Sequence, residues 1–248
     1  GLLGLPHADV ELAQHEGARG IATKDFTMEK LYGGLVHGNE VLFHLDPTYR
    51  RNASTAAPEH TLDAVRRALE QPFVQLPEWT WPEGVATPWD AFIGYLLLGA
   101  VIGNTDRHHQ NWALLAPSER DKRPVTLAPT FDHASSLGRE LDDAERTRRL
   151  TTKDTRSDLR AYAARACSAL YDAGTPHPLT PCEAFARAAA TRPSAGQAWL
   201  ERLREVAPEA VSVLIARVPG PTMSAPARQF ALALLEENQA RLEHWHVG

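Results

Sequence analysis

Gly103-Asn104-Thr105-Asp106-Arg107-His108-His109-Gln110-Asn111 is the stretch on which the reading of this chain turns. It is polar, it follows a run of apolar residues at helical spacing, and it leads into the short apolar run Trp112–Ala116. A polar loop held between two rigid elements is where reactive groups are usually mounted. Upstream of it, Thr87 suits an N-cap, Pro88 suits the first helical position, and Asp90 in the first turn complements the helix dipole. Trp89, Phe92, Ile93, Leu96, Leu97, Ala100 and Val101 then recur at helical period, which predicts a core helix over 88–102 stopped by Gly103. Downstream, the runs Trp112–Ala116 and Val125–Ala128 bracket a charged segment flanked by Pro117 and Pro124. That arrangement predicts a β-hairpin with a solvated loop, and Thr130-Phe131-Asp132-His133 lies at its exit.

The texture changes on either side. Residues 9–45 read as strands and turns. Val10, Leu12 and Ala13 lead through His15-Glu16-Gly17 to Ile21, Ala22 and Phe26, a predicted hairpin. Leu35-Val36 and Val41-Leu42-Phe43 flank a turn-like break at His37-Gly38-Asn39-Glu40. From about residue 60 the sequence is rich in helix formers, and helices are predicted at about 154–173, 180–190, 194–206, 208–217 and 224–245, with a solvated helix face at Arg146–Arg149. The fold class is therefore α+β. At 248 residues, with 43% hydrophobic and 23% charged side chains, the chain can bury a real core. Its formal charge of −5 excludes a generic nucleic-acid-coating role. Cys167 and Cys182 are too few for a disulfide framework, which suits a reducing cytoplasm. The apolar run Ala91–Gly103 is too short to span a membrane. Scarce Lys beside abundant Arg and Ala fits a GC-rich bacterial coding sequence.

The spacing inside the loop has a mechanical meaning. Phosphoryl transfer from ATP needs a carboxylate to orient the acceptor hydroxyl and oxygen ligands for Mg²⁺. The protein-kinase catalytic loop, H-R-D-x-x-x-x-N, has the same Asp-to-Asn separation as Asp106 and Asn111. A second Asp follows a short hairpin there and binds metal, and Asp132 stands in that place. A hairpin reverses the chain, so residues at its two ends can meet.

Read as N-x-D-x-H-x-x-N, residues 104–111 resemble the catalytic loop of HipA-like serine/threonine kinases. The D-x-H-x-x-N core is also similar to that of phosphoinositide-3/4-kinase-type enzymes. Residues 17–26 and 35–40 resemble the hinge region of HipA-domain proteins. The resemblance implies a protein-kinase-like, HipA-type fold: a partial β-rich N-lobe and hinge over 1–45, and a mainly α-helical C-lobe over 46–248 that carries the loop 103–111. It implies Asp106 as catalytic base or hydroxyl-positioning group, supported by His108, with Asn111 and Asp132 as Mg²⁺ ligands. Thr23, Lys24, Asp25 and Phe26 would line the adenine pocket of ATP. The substrate implied is a serine or threonine hydroxyl of a protein, and the partner an antitoxin of a toxin–antitoxin pair.

Two departures from the family pattern matter. Asp132 is followed by His133 and Ala134 where a D-F-G would stand. No Gly-rich phosphate loop and no lysine precede the first hairpin, and Gly1–Pro6 resembles the tail of the helix that follows the strand lysine. The expectation is the C-terminal portion of a longer kinase. Alternatives stay open: a pseudokinase or half-kinase that binds a partner protein, whether an antitoxin or a missing lobe, or a phosphoinositide or small-molecule kinase. A metal-dependent hydrolase using His108, His109, Asp132 and His133 is a further reading. Singly, each residue also has a plain role: Asp106 in a turn, Asn111 closing an Asx turn, Asp132 capping a helix. Trp79, Trp81 and Trp89, set among prolines, read as core packing or as one wall of a substrate groove.

Overall fold

A computed structural model describes residues 1–27, 32–53, 57–117 and 123–243. Its first regular unit is the expected hairpin. Strands β1 (Val10–His15) and β2 (Ala18–Thr23) pair antiparallel, with Val10 opposite Thr23 and His15 opposite Ala18. Glu16 (φ 48°) and Gly17 (φ 81°) are both left-handed, the two-residue turn that matches the twist of a tight hairpin. Residues 1–6 form a turn closed by Gly4 N–H on Gly1 O, not the end of a helix. Gly4 sits at φ 69° and Pro6 follows, and neither suits a helix interior.

A second sheet has four strands among the described residues. Strand β3 (Tyr32–His37) runs antiparallel to β5 (Ala113–Pro117), and β5 antiparallel to β6 (Val125–Leu127). The short β4 (Val74–Gln75) lies parallel to β6. The β5–β6 pair is the hairpin foreseen from the two apolar runs. The charged tip of its loop, 118–122, lies outside the described residues, as do residues 244–245 of the last predicted helix.

The turn-like break at 37–40 is corrected: Gly38–Leu45 is helix α1. Glu40 Oε2 accepts the His37 N–H at 3.2 Å, and two N–H groups at the helix start find carbonyls of the polar loop, Gly38 N on Trp112 O and Asn39 N on His109 O. Those tertiary acceptors satisfy groups that a helix start leaves unpaired. Only glycine fits at 38, since a Cβ there would stand 2.2 Å from Trp112 Cε2 and 2.5 Å from His109 O.

Helix α2 (Leu62–Leu69) precedes α3 (Pro88–Ile102), which has the predicted bounds. Thr87 and Asp90 form a reciprocal capping box, and Gly103 ends the helix at φ 61°. The helix is buried nearly all round, against α6 (Pro181–Thr191), α7 (Pro193–Arg204) and α9 (Ala225–Glu243). Trp199 of α7 donates its indole N–H to Asp90 O at 2.8 Å, and its ring fills the place where a side chain at Gly94 would go. Trp81 meets Trp199 edge to face and Trp89 stacks on Phe92, so two of the three clustered tryptophans serve packing. Trp79 stays half-exposed, with its N–H on Gly4 O.

The predicted helix at 154–173 is also corrected. The regular elements here are α4 (Asp143–Thr151), which carries the Arg146–Arg149 cluster, and α5 (Leu159–Arg165). Residues 166–173 make extended contacts instead: Ser168 N on Leu179 O, Leu179 N on Leu170 O, and Tyr171 N on His60 O, with Ala169 left-handed at φ 60°. Their apolar residues pack as a strand would, and tertiary partners override helix propensity. Helix α8 (Pro208–Arg217) completes the set, and α6, α7 and α8 each begin on the proline that suits their first position. Among the described residues no helix is long and apolar enough to cross a membrane.

Candidate active site

The loop after α3 is shaped by its own side chains. Asn104 N–H returns to Gly99 O at 2.8 Å, and Asn104 Oδ1 accepts the Asp106 N–H at 2.9 Å, an Asx turn that lifts Asp106 off the helix end. Asn111 Nδ2 donates to Asp106 O at 2.6 Å and closes the loop from the far side. That bond uses the amide nitrogen and leaves Asn111 with an oxygen to offer. His108 Nδ1 accepts the Gln110 N–H at 3.1 Å, so the ring proton sits on Nε2, 3.8 Å from Asp106 Oδ1.

Arg107, 2% exposed, braces the same loop from within. Its guanidinium donates to Asn111 O at 2.8 Å and to His133 Nδ1 at 3.2 Å. His133 therefore carries its proton on Nε2, which faces Thr130 Oγ1 at 3.1 Å. Burial first and the Arg107 charge second push the His133 imidazole down to about 3, so it is neutral. Burial also lowers Arg107, to about 10, which leaves it charged at neutral pH. The Arg107–His133 contact is one of the ties between the loop and the segment holding Asp132, and nothing in the spacing of the two motifs announces it. The nearest signal was the pairing of a basic residue in each motif.

Asp132 itself is exposed and left-handed, at φ 52°. A non-glycine residue held there is uncommon, though Asp tolerates it better than most, and such conformations gather at functional sites. Neighbouring bonds fix it: Thr130 N–H reaches Pro6 O at 2.9 Å and Ala8 N–H reaches Thr130 O at 3.0 Å. Phe131 packs on Phe26, ring centroids 6.1 Å apart, and so brings the segment after β2 alongside. Thr23, Lys24, Asp25, Phe26 and Asp132 share the wall of one cavity of about 930 Å³, which is otherwise largely aliphatic. Asp25 spends Oδ1 on the N–H and hydroxyl of Thr27.

The expected site residues thus fall into two groups. Asp106, His108 and Asn111 share one loop. Thr23 to Phe26 share a cavity with Asp132, and among the described residues of its wall Asp106, His108 and Asn111 do not appear. Contact between the groups runs through Arg107 and His133, and through the bonds that join Thr105 and Asp106 to Ser135.

Asn111 and Asp132 offer hard oxygen donors, the kind Mg²⁺ takes, and Mg²⁺ at phosphoryl-transfer sites uses one or two protein carboxylates plus phosphate and water. In donor type these two residues suit that ion. They do not fit a zinc hydrolase: among the described residues no three His, Cys, Asp or Glu side chains gather as a metal site. Two of the imidazoles that reading needs are engaged elsewhere. His133 sits between Arg107 and Thr130, and buried His109 shares a 2.7 Å hydrogen bond with Tyr49 Oη. Below the loop, Trp112 Nε1–H donates to His60 Nε2 at 3.1 Å and His60 Nδ1–H meets Ala169 O at 3.1 Å, a neutral imidazole that burial pushes down to about 3.

No protein-family profile matches the chain. No curated protein sequence matches it either. Among solved structures, it is similar to the Helicobacter pylori proinflammatory kinase CtkA, with a TM-score of 0.71 at 21% identity over 96% of this chain and 78% of that one. It is also similar to HipA of Shewanella oneidensis MR-1, seen in complex with HipB and operator DNA, with a TM-score of 0.53 at 13% identity over 98% of this chain and 53% of that one. The fold is HipA-like and kinase-like, an α+β arrangement of small sheets on a helical body.

Proposed function

We propose that this chain is an ATP-dependent phosphotransferase acting on a serine or threonine hydroxyl of a protein. The observation that carries the reading is the self-closed loop 104–111. It fixes the Asp106 backbone from both sides, at its N–H and at its carbonyl, and leaves its carboxylate for chemistry. Asp106 is the group that orients the acceptor hydroxyl and takes its proton at Oδ1, with His108 Nε2–H beside it. Asn111 Oδ1 and the Asp132 carboxylate would hold Mg²⁺, and Thr23, Lys24, Asp25 and Phe26 the adenine end of ATP. Bound Mg²⁺·ATP supplies the γ-phosphoryl group and neutralises the charge that develops on its transfer. In this reading residues 1–45 are the remnant N-lobe and hinge, 46–248 are the C-lobe, and the protein works in a bacterial cytoplasm. Its two cysteines, both unpaired, agree with a reducing compartment.

A second reading is a half-kinase completed by a partner protein. It is favoured by the exposure of Val10 (51%), Leu12 (56%) and Ile21 (60%), one apolar face of the β1–β2 hairpin. The HipA neighbour's complex with HipB makes an antitoxin one candidate partner. Transfer of labelled phosphate from [γ-³²P]ATP with Mg²⁺ to a degenerate Ser/Thr peptide mixture tests the first reading. Asp106→Asn and Asp132→Ala are each expected to reduce transfer by about a hundred-fold or more. Wild-type rates in both would overturn it, and label appearing on lipid instead of peptide would reassign the acceptor.

A further inference from the structure

The two carboxylate oxygens of Asp106 face different groups. Oδ1 lies 3.8 Å from His108 Nε2, whereas Oδ2 lies 3.4 Å from Ser135 Oγ, a residue 29 positions along the chain. Ser135 arrives there on a backbone fastened to the loop. Its carbonyl accepts the Thr105 N–H at 3.0 Å and the Thr105 hydroxyl at 3.3 Å, and Leu137 N–H reaches Ile102 O at 3.0 Å. Residues 135–137 are thus stitched to 102–105, and the Ser135 hydroxyl keeps its place relative to Asp106 without relying on its own side-chain bond.

The terminal torsion of an Asp side chain is soft, with a broad distribution about its axis. A donor fixed on one oxygen removes that freedom and decides which oxygen remains for the second group. We infer that Ser135 is a positioning residue for Asp106: its hydroxyl holds Oδ2, and Oδ1 is thereby presented to the acceptor hydroxyl. The inference rests on the reading of Asp106 as the proton acceptor. It also explains the double anchoring by Thr105, because a preorganised group needs a rigid support behind it.

The test uses the intact chain and the peptide-transfer assay, with Ser135→Ala, Ser135→Thr and Asp106→Asn side by side. Ser135→Ala should lower kcat about ten-fold with KM for ATP unchanged and thermal midpoint kept, the scale seen when a supporting hydrogen bond is lost. Ser135→Thr, which keeps a hydroxyl, should restore most of the rate. In protein labelled with ¹³C-aspartate, the Asp106 Cγ signal should shift in Ser135→Ala and return in Ser135→Thr, with no turnover needed. An unchanged kcat or an unmoved Cγ signal in Ser135→Ala overturns the inference. So does a loss shared by Ser135→Thr together with a lower melting point, which would mean a purely structural role. Phosphate found on Ser135 by mass spectrometry after incubation with ATP would make it an acceptor instead. If Asp106→Asn transfers at the wild-type rate, or the wild-type chain transfers nothing, the reading of Asp106 falls and takes the inference with it. An inactive Asp106→Asn beside a fully active Ser135→Ala removes the inference alone.

Discussion

The loop 103–111 and the hairpin 10–23 lie at opposite ends of a scale of self-sufficiency. In the loop, Asn104, Arg107, His109 and Asn111 are all buried, and polar side chains satisfy the backbone that no helix or strand serves. The hairpin has regular pairing and a well-chosen turn, yet all but one of its strand residues are exposed. Regularity and stability are therefore separate matters: a two-stranded sheet gains little without a face to bury, while an irregular loop can be held by side-chain bonds to its buried backbone, even with Asn104 Nδ2 and Arg107 Nε left without a partner among the described residues.

That contrast can be broken from either side. Arg107→Ala has the largest expected effect. It removes charge-assisted bonds to Asn111 O and His133 Nδ1, and should cost about 3 kcal/mol in urea unfolding at pH 7.5. A loss below 1 kcal/mol would mean the loop does not depend on its buried brace. Acid comes next. His60 is held neutral in the fold at about 3, against about 6.5 when unfolded, so below pH 6.5 the unfolded chain takes up a proton that the native state refuses. Its contribution is intact above pH 6.5 and falls away toward pH 3. Between pH 6.5 and 5 this group alone should remove about 1.6 kcal/mol, and His60→Gln should take away that share of the fall, leaving the share of buried His133. The smallest effects belong to the hairpin. Leu12→Thr and Ile21→Thr should each change stability by less than about 0.5 kcal/mol, as for any uncovered surface site. A larger loss in either would show that this face is covered in solution, which sharpens the half-kinase reading.

Legibility in the sequence followed the range of the interactions. Helix α3 could be read to the residue because its cap, its proline, its period and its glycine stop are all local. The β1–β2 and β5–β6 pairings were legible for the same reason. Helix α1 was not, since its first N–H groups are satisfied by carbonyls some seventy positions away, at His109 and Trp112. Residues 166–173 misled because their apolar spacing suits a helix, whereas their hydrogen-bond partners, His60 and Leu179, come from elsewhere. Within the site, the separation of Asp106 and Asn111 was visible in one loop. The contacts from Arg107 to His133 and from Asp106 to Ser135 cross between motifs and needed three dimensions.

Helix α3 has a last consequence. Fifteen residues make a rod roughly 22 Å long, and this one has almost no wet side on which to slide or turn. Its far end is pinned by an indole from α7, and its near end delivers Gly103 and everything that follows. The address of the loop's polar groups is thus written in aromatic packing about two nanometres away. Drift in that remote core would displace the loop before any residue of the loop itself had changed.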